Sequence, residues 1–349
     1  MNLQTNIFSS HWQSPSNIAL VKYWGKKGNQ LPCNPSISFT LNQAISDTSI
    51  QAEYNENQTG ISFEFLFENK ANPQFEAKIR PFLDKISAQF QWMGQFHLKI
   101  NSSNTFPHSS GIASSASAFS ALALNLGSLH QQIVGKDNFD FKKTASFWAR
   151  IGSGSACRSV YGGFNLWGKT PSIAESSDEY AINIDNIVHD NFKSISDTIL
   201  IVEKGQKSVS SSKGHALLNE HIFAQQRYLE AFKNTEILLD ILKSGNQDAF
   251  ISLVEAEALQ LHALMMSSPT PFILMKPNTL KIIELILGFR NQTNLKVAFT
   301  LDAGANVHFL SLEKDNKIVE RFIENELKQF CQDGVLFKNK IGEGPLEII

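Results

Sequence analysis

The chain has 349 residues, 42% of them hydrophobic, and a formal net charge of −2. That balance excludes the global basic field that holds nucleic acid, so any anion site has to be local. Cys33, Cys157 and Cys331 are widely spaced and form no CxxC pair, which argues against a disulfide framework or zinc site and for a reducing, cytoplasmic setting. The first residues lack a basic region followed by an apolar core, so no secretory signal is expected, and no apolar run suggests a membrane helix of roughly 20 residues.

In chain order, residues 17–29 (NIALVKYWGKKGN) begin apolar and end in Gly and Lys, as a strand entering a turn does. Residues 36–43 and 47–54 alternate as two more strands. Residues 61–69 alternate with Ile61, Phe63, Phe65 and Phe67 on one side. Residues 76–90 put Ile79, Phe82, Leu83 and Ile86 at helical spacing, with Pro81 expected in the first turn. A strand at 95–102 leads into a Ser/Gly-rich loop and a helix at about 111–130. Residues 138–167 read as a helix, a Gly/Ser break, a short helix and a strand. After a polar stretch (171–191) come a strand at 196–205, a second Ser-rich loop at 207–215, and helices at about 214–243 and 247–266. A Pro-marked turn and helix (270–290), a strand–turn–strand (295–313), a helix (about 315–331) and a last strand or tail complete the chain. This is not a regular βαβα alternation, so the fold class predicted is α+β. Two domains are expected, 1–187 and 188–349, divided in the least hydrophobic connection.

Several loops carry anion-binding chemistry. In NTFPHSSGIASSASAFSALALNL (104–126) hydroxyls and a glycine run straight into an apolar helix. A helix start there would converge free N–H groups and the helix dipole on a polyphosphate, although an ordinary Ser-capped helix fits the same pattern. The segment is not a GxxxxGK[ST] loop, since no Lys follows the glycine. RIGSGSACRS (150–159) sets Ser153, Ser155 and Arg158 around two glycines, and a guanidinium suits bidentate capture of a carboxylate or phosphate. KYWGKK (22–27) adds Lys22, Tyr23, Lys26 and Lys27; VSSSKG (209–214) adds Ser211 and Lys213. In TLDAGAN (300–306), Asp302 follows an apolar strand, where a carboxylate can orient or deprotonate a hydroxyl, or simply form a turn. Cys157 beside Arg158 reads as a small buried residue rather than a nucleophile. His262, in an apolar helix, reads as a core or pocket-wall residue.

PHSSGIASSASA resembles the phosphate loop of the GHMP small-molecule kinase superfamily, with Ile112 where Leu is usual. NIALVKYWGKK, NPSISFTL, ARIGSGSACRSVYGGF and TLDAGAN, in that order, narrow the resemblance to the diphosphomevalonate decarboxylases over residues 17 to about 310. The resemblance implies a two-domain GHMP-kinase-like fold: a ribosomal-protein-S5-like N-terminal domain, a ferredoxin-like C-terminal α/β sandwich, and an active site in the cleft between them. It implies ATP-dependent decarboxylation of mevalonate 5-diphosphate to isopentenyl diphosphate through 3-hydroxyl phosphorylation, with ATP and Mg2+ required and a homodimer expected. Asp302 matches the catalytic carboxylate, Lys22 the cation beside it and Arg158 the holder of the C1 carboxylate. Tyr23, Lys26, Ser153, Ser155 and Ser211 match positions around the substrate diphosphate. Asn104, Ser109, Ser110, Gly111, Ser114 and Ser115 match the ATP phosphate loop, with Ser115 a candidate for the metal.

The departures are Pro35 in place of a small polar residue, Ala305 in place of Pro, His108 with Ser109–Ser110 in place of Thr-Ala-Ala, and Ser212 where some members carry Arg. They leave room for a related kinase or decarboxylase acting on mevalonate 5-phosphate or mevalonate. A non-catalytic phosphometabolite-binding protein is the alternative from another class. The joint presence of Asp302, Lys22 and Arg158 favours decarboxylation.

Overall fold

The computed structural model describes residues 6–106, 112–135, 140–205, 214–215, 218–312 and 316–348. The first half builds a mixed sheet from β1 (Ile7–Ala19), β4 (Ser36–Tyr54), β5 (Ser62–Phe67), β6 (Lys70–Ala71), β7 (Phe96–Asn104), β8 (Phe164–Trp167) and β9 (Ala181–Asn183). Two short strands, β2 (Lys26–Lys27) and β3 (Leu31–Pro32), form a separate hairpin. β1 begins ten residues before the apolar stretch that reads as a strand, and it ends before Lys22. The segments 36–43 and 47–54 are one strand, β4, rather than two. The β1–β4 register slips between Pro15 and Asn17, so residues 41–44 bulge out where a turn would otherwise be read.

One face of this sheet is covered by α1 (Pro73–Ser87), α2 (Ser114–Ile133) and α3 (Phe141–Gly152). Pro73 opens α1 and Pro81 stands inside it, not in its first turn. Pro81 is exposed, so the carbonyl it leaves unpaired faces water. α2 answers for its Ser/Ala richness: Ser120 bonds Ser14 of β1 at 2.7 Å and Ser117 bonds Ser46 of β4 at 2.7 Å. Small hydroxyl residues let this helix approach the sheet closely while Ser117 and Ser120 keep their own hydroxyls paired.

The second half contains α4 (Ala224–Ser244), α5 (Gln247–Met266) and α6 (Pro277–Thr293), with β10 (Ser196–Leu200), β11 (Val297–Thr300), β12 (Val307–Ser311), α7 (Lys317–Phe322) and β13 (Leu336–Lys340). Its strands pair antiparallel in the order β11–β12–β10–β13, the 4-1-3-2 order of a ferredoxin-like sandwich. β14 (Leu346–Glu347) crosses back to pair with β1. α4 begins ten residues later than the sequence suggests, and β10 is shorter than 196–205. α5 is long and apolar enough to cross a membrane by composition alone, but here it is a core helix that buries Phe250, Val254, Ala258 and Leu261.

Candidate active site

After β1 ends at Ala19 the chain turns inward and carries Lys22 into the space between the two sheets. Lys22 is 1% exposed; its Nζ donates to the Ala19 carbonyl at 2.6 Å and to Asp302 Oδ1 at 3.3 Å. Burial pushes its pKa below the ordinary lysine value, and the Asp302 charge partly offsets that. Asp302 sits just beyond β11, in the turn before β12. Its backbone carbonyl accepts from Gly304 N–H at 2.7 Å and from His262 Nε2–H at 3.1 Å, while its carboxylate remains 27% exposed toward the cleft. His262 is thus a buried residue that braces the turn.

The Lys22 backbone is clamped from the second half of the chain. Its N–H donates to Glu257 Oε2 at 2.9 Å, and its carbonyl accepts from Asn34 at 3.1 Å and from Arg227 at 3.4 Å. Glu257 accepts two bonds from Arg227, at 2.6 and 2.8 Å, and one from Asn234 at 2.6 Å. Glu257 and Arg227 are both buried. A buried ion pair adds little net stability, but one bonded to this extent fixes geometry.

Arg158 comes from the short 3-10 turn at 154–160. It is buried, donates through Nε to Asn17 Oδ1 at 3.2 Å and through Nη1 to Ser36 Oγ, and lies over the Trp167 ring. Burial lowers its pKa. Asn17 is itself tied to Ser159 Oγ at 2.8 Å and the Ser155 carbonyl at 3.2 Å. Gly154 is required here, because a Cβ would stand 2.8 Å from both Trp167 and the Tyr23 hydroxyl oxygen. Burial raises the pKa of Tyr23, so its hydroxyl stays protonated. Cys157 is fully buried, donates to the Gly154 carbonyl at 3.0 Å, and has its thiol pushed up to about 12 by burial. It is no thiolate nucleophile.

The cleft widens toward the start of α2. Ala113, the residue before this helix, takes φ +26° and gives no side-chain cap, so first-turn N–H groups remain available to an anion. Ser115 Oγ and Ser153 Oγ face each other at 3.2 Å. Lys26 Nζ reaches Gln30 at 3.1 Å, and burial lowers its pKa. Beside Ser114 and Ser115 opens an apolar pocket walled by Phe65, Phe67, Phe75 and Phe119, with Asn104 at its edge. Asn104 accepts from Ser46 Oγ at 2.7 Å.

A single cleft of about 550 Å³ is thus lined by Lys22, Tyr23, Lys26, Ser115, Ser153, Ser155, Arg158 and Asp302. Ser114 and Asn104 line the adjoining apolar pocket. Two wider grooves elsewhere contain none of these residues. Ser109, Ser110, Gly111 and Ser211 lie outside the described residues. Sequence reasoning missed Asn17, Ser36, Glu257, Arg227 and His215. The usable signal for Glu257 was a carboxylate on the same helix stripe as Val254, Ala258 and Leu261, all buried.

Two main sheets, a helix start without a side-chain cap, a Ser-rich floor and a Lys–Asp pair with Lys22 buried and Asp302 open to the cleft have the layout of an enzyme that binds small phosphorylated molecules. The family model described as diphosphomevalonate decarboxylase-like N-terminal domain matches residues 14–181, and that of the mevalonate 5-diphosphate decarboxylase C-terminal domain matches 198–342. A diphosphomevalonate decarboxylase of Candida albicans is 29% identical over 314 residues, covering 86% of this chain and 83% of its own. The mevalonate diphosphate decarboxylase of Staphylococcus aureus superposes with a TM-score of 0.83 at 28% identity over 98% of each chain. A protein termed MDDEF, solved with MVAPP, AMPPCP and magnesium, gives 0.83 at 27% identity over 98% of this chain and 99% of that one. The chain belongs to the diphosphomevalonate decarboxylase family.

Proposed function

We propose that this protein catalyses the ATP-dependent decarboxylation of mevalonate 5-diphosphate to isopentenyl diphosphate, ADP, phosphate and CO2. One observation carries the reading: Lys22 Nζ stands 3.3 Å from Asp302 Oδ1 in a cleft that also holds Arg158, Ser115 and Ser153. Asp302 takes the proton of the tertiary 3-hydroxyl as that oxygen attacks the terminal phosphorus of ATP and ADP leaves. Lys22 offsets the charge that builds on the transferred group. Arg158 holds the C1 carboxylate in its guanidinium fork. The C3–O bond then breaks with its electron pair going to phosphate. The C1–C2 pair becomes the C2=C3 double bond, and C1 departs as CO2.

Tyr23, Lys26, Ser153, Ser155 and Ser211 are assigned to the substrate diphosphate. Asn104, Ser109, Ser110, Gly111, Ser114 and Ser115 are assigned to the ATP phosphates, and the Phe65–Phe67–Phe75–Phe119 pocket suits the flat aromatic face of the nucleobase. Among the described residues no group of three or more His, Cys, Asp or Glu could hold a metal. Magnesium would arrive with the nucleotide and take one or two protein oxygens beside phosphate and water. Ser115 Oγ would complete its shell, and the ion would neutralise phosphate charge. The same reading divides the domains at 187/188 and sets the chain in a reducing cytoplasm, in keeping with three free cysteines.

The test is purified protein with ATP, Mg2+ and, separately, mevalonate, its 5-phosphate and its 5-diphosphate, followed for ADP and CO2. Equal amounts of ADP and CO2 from the diphosphate are expected. ADP without CO2 would make the protein a kinase, CO2 from the monophosphate alone would move the substrate, and binding without turnover would make it a carrier.

A further inference from the structure

His215 is absent from the residues that the sequence singles out, yet it lines the cleft with Tyr23, Lys26, Ser153 and Asp302 while only 8% exposed. Its ring lies between those of Tyr23 and Trp24, 4.6 Å from each centroid. The Gly25 N–H donates to its Nδ1 at 3.0 Å. A ring nitrogen that accepts a backbone N–H carries no proton, so the ring's proton sits on Nε2. Among the described residues nothing accepts from that Nε2–H. Burial, with the Lys26 charge nearby, pushes the ring's pKa down to about 3. The imidazole is a fixed neutral donor with one N–H free for an incoming acceptor.

We infer that His215 is a specificity residue for the diphosphate, its Nε2–H donating to a phosphate oxygen in the part of the cleft it shares with Lys26. The inference rests on the substrate proposed above. That N–H opens onto the cleft, where water can meet it in the free protein and a second phosphate oxygen can take the place of water. A monophosphate leaves that N–H to water and forgoes the contact, so the site favours the diphosphate by the size of one hydrogen bond to a charged acceptor. Neutrality has its own use: this contact does not titrate near pH 7, whereas a protonated imidazole would.

The rival account is that the ring only packs between Tyr23 and Trp24 and steadies Gly25. Three proteins separate the two: wild type, His215→Phe, which fills the space without a donor, and His215→Gln, which can accept from Gly25 and still donate. Steady-state kinetics should show the KM for mevalonate 5-diphosphate rising about tenfold in His215→Phe. Its kcat and the inhibition constant of mevalonate 5-phosphate should stay within about twofold, and His215→Gln should recover most of the loss. An unchanged KM, equal losses for both ligands, or equal damage in the Phe and Gln variants would overturn the inference. Calorimetry with inorganic diphosphate and inorganic phosphate reads the same contact without turnover. If wild type makes no CO2 from the diphosphate, the functional reading falls, and the calorimetric comparison of wild type with His215→Phe still decides the role of His215.

Discussion

The two ends of the cleft are built on opposite plans. At the end we assign to the reaction, Lys22 is almost fully buried, its side chain bonded to Ala19 and Asp302 and its backbone held by Glu257, Asn34 and Arg227. Arg158 is likewise buried and bonded to Asn17 and Ser36. At the phosphate end Ser115 is exposed, the first turn of α2 has no side-chain cap, and among the described residues Lys26 Nζ bonds only Gln30. Charges that stabilise a transition state must stand in place beforehand, because reorienting them during the reaction costs the energy they would supply. Groups that wrap a mobile, highly charged ligand can wait for it. The end assigned to the reaction is pre-organised, and at the phosphate end, the fixed His215 ring apart, the ligand completes the site.

Substitutions should separate the ends, beginning with the most damaging. Asp302→Asn removes the proposed proton acceptor and should cut turnover roughly 10³-fold. Calorimetric nucleotide affinity should remain near wild type, and its loss would mean that the two ends are not independent. Arg158→Lys keeps the charge but not the planar fork, so kcat/KM should fall roughly 10²-fold. Near-full activity would count against a carboxylate-holding role.

Glu257→Gln tests the clamp, with an expected loss in kcat of about tenfold. The sign of its pH effect follows from charge. The Glu257 carboxylate favours the protonated form of Lys22, against the larger lowering by burial. Neutralising it makes the ammonium give up its proton at lower pH, so the alkaline limb of the rate profile should move downward. A lower Tm with an unmoved limb would reduce Glu257 to scaffolding. The mildest change is Ser153→Ala at the phosphate end, which should raise a KM only a few-fold, the size of one hydrogen bond, and leave the pH profile alone.

The sequence was read best where function needs a continuous stretch. The junction of hydroxyls and apolar helix at 104–126, the GSGSACRS break and the DAG turn each carry their meaning within one short segment, and Ser115, Ser153, Ser155, Arg158 and Asp302 from them line one cleft. It was read worst where geometry depends on a distant partner. The β4 bulge looks like a turn until β1 is beside it. Pro81 looks like a helix start until its exposure is known. His215 looks like one more loop histidine until Tyr23, Trp24 and Gly25 enclose it.

By itself the sequence determined the chemical inventory and the fold class, because side-chain type and hydrophobic period are local properties. Only the tertiary structure decided that Glu257, 235 positions along the chain from Lys22, grips its backbone, and which ring nitrogen of His215 keeps its proton. Burial and hydrogen-bond partners arise from packing between remote segments, and those two things set the protonation and aim of a charged group.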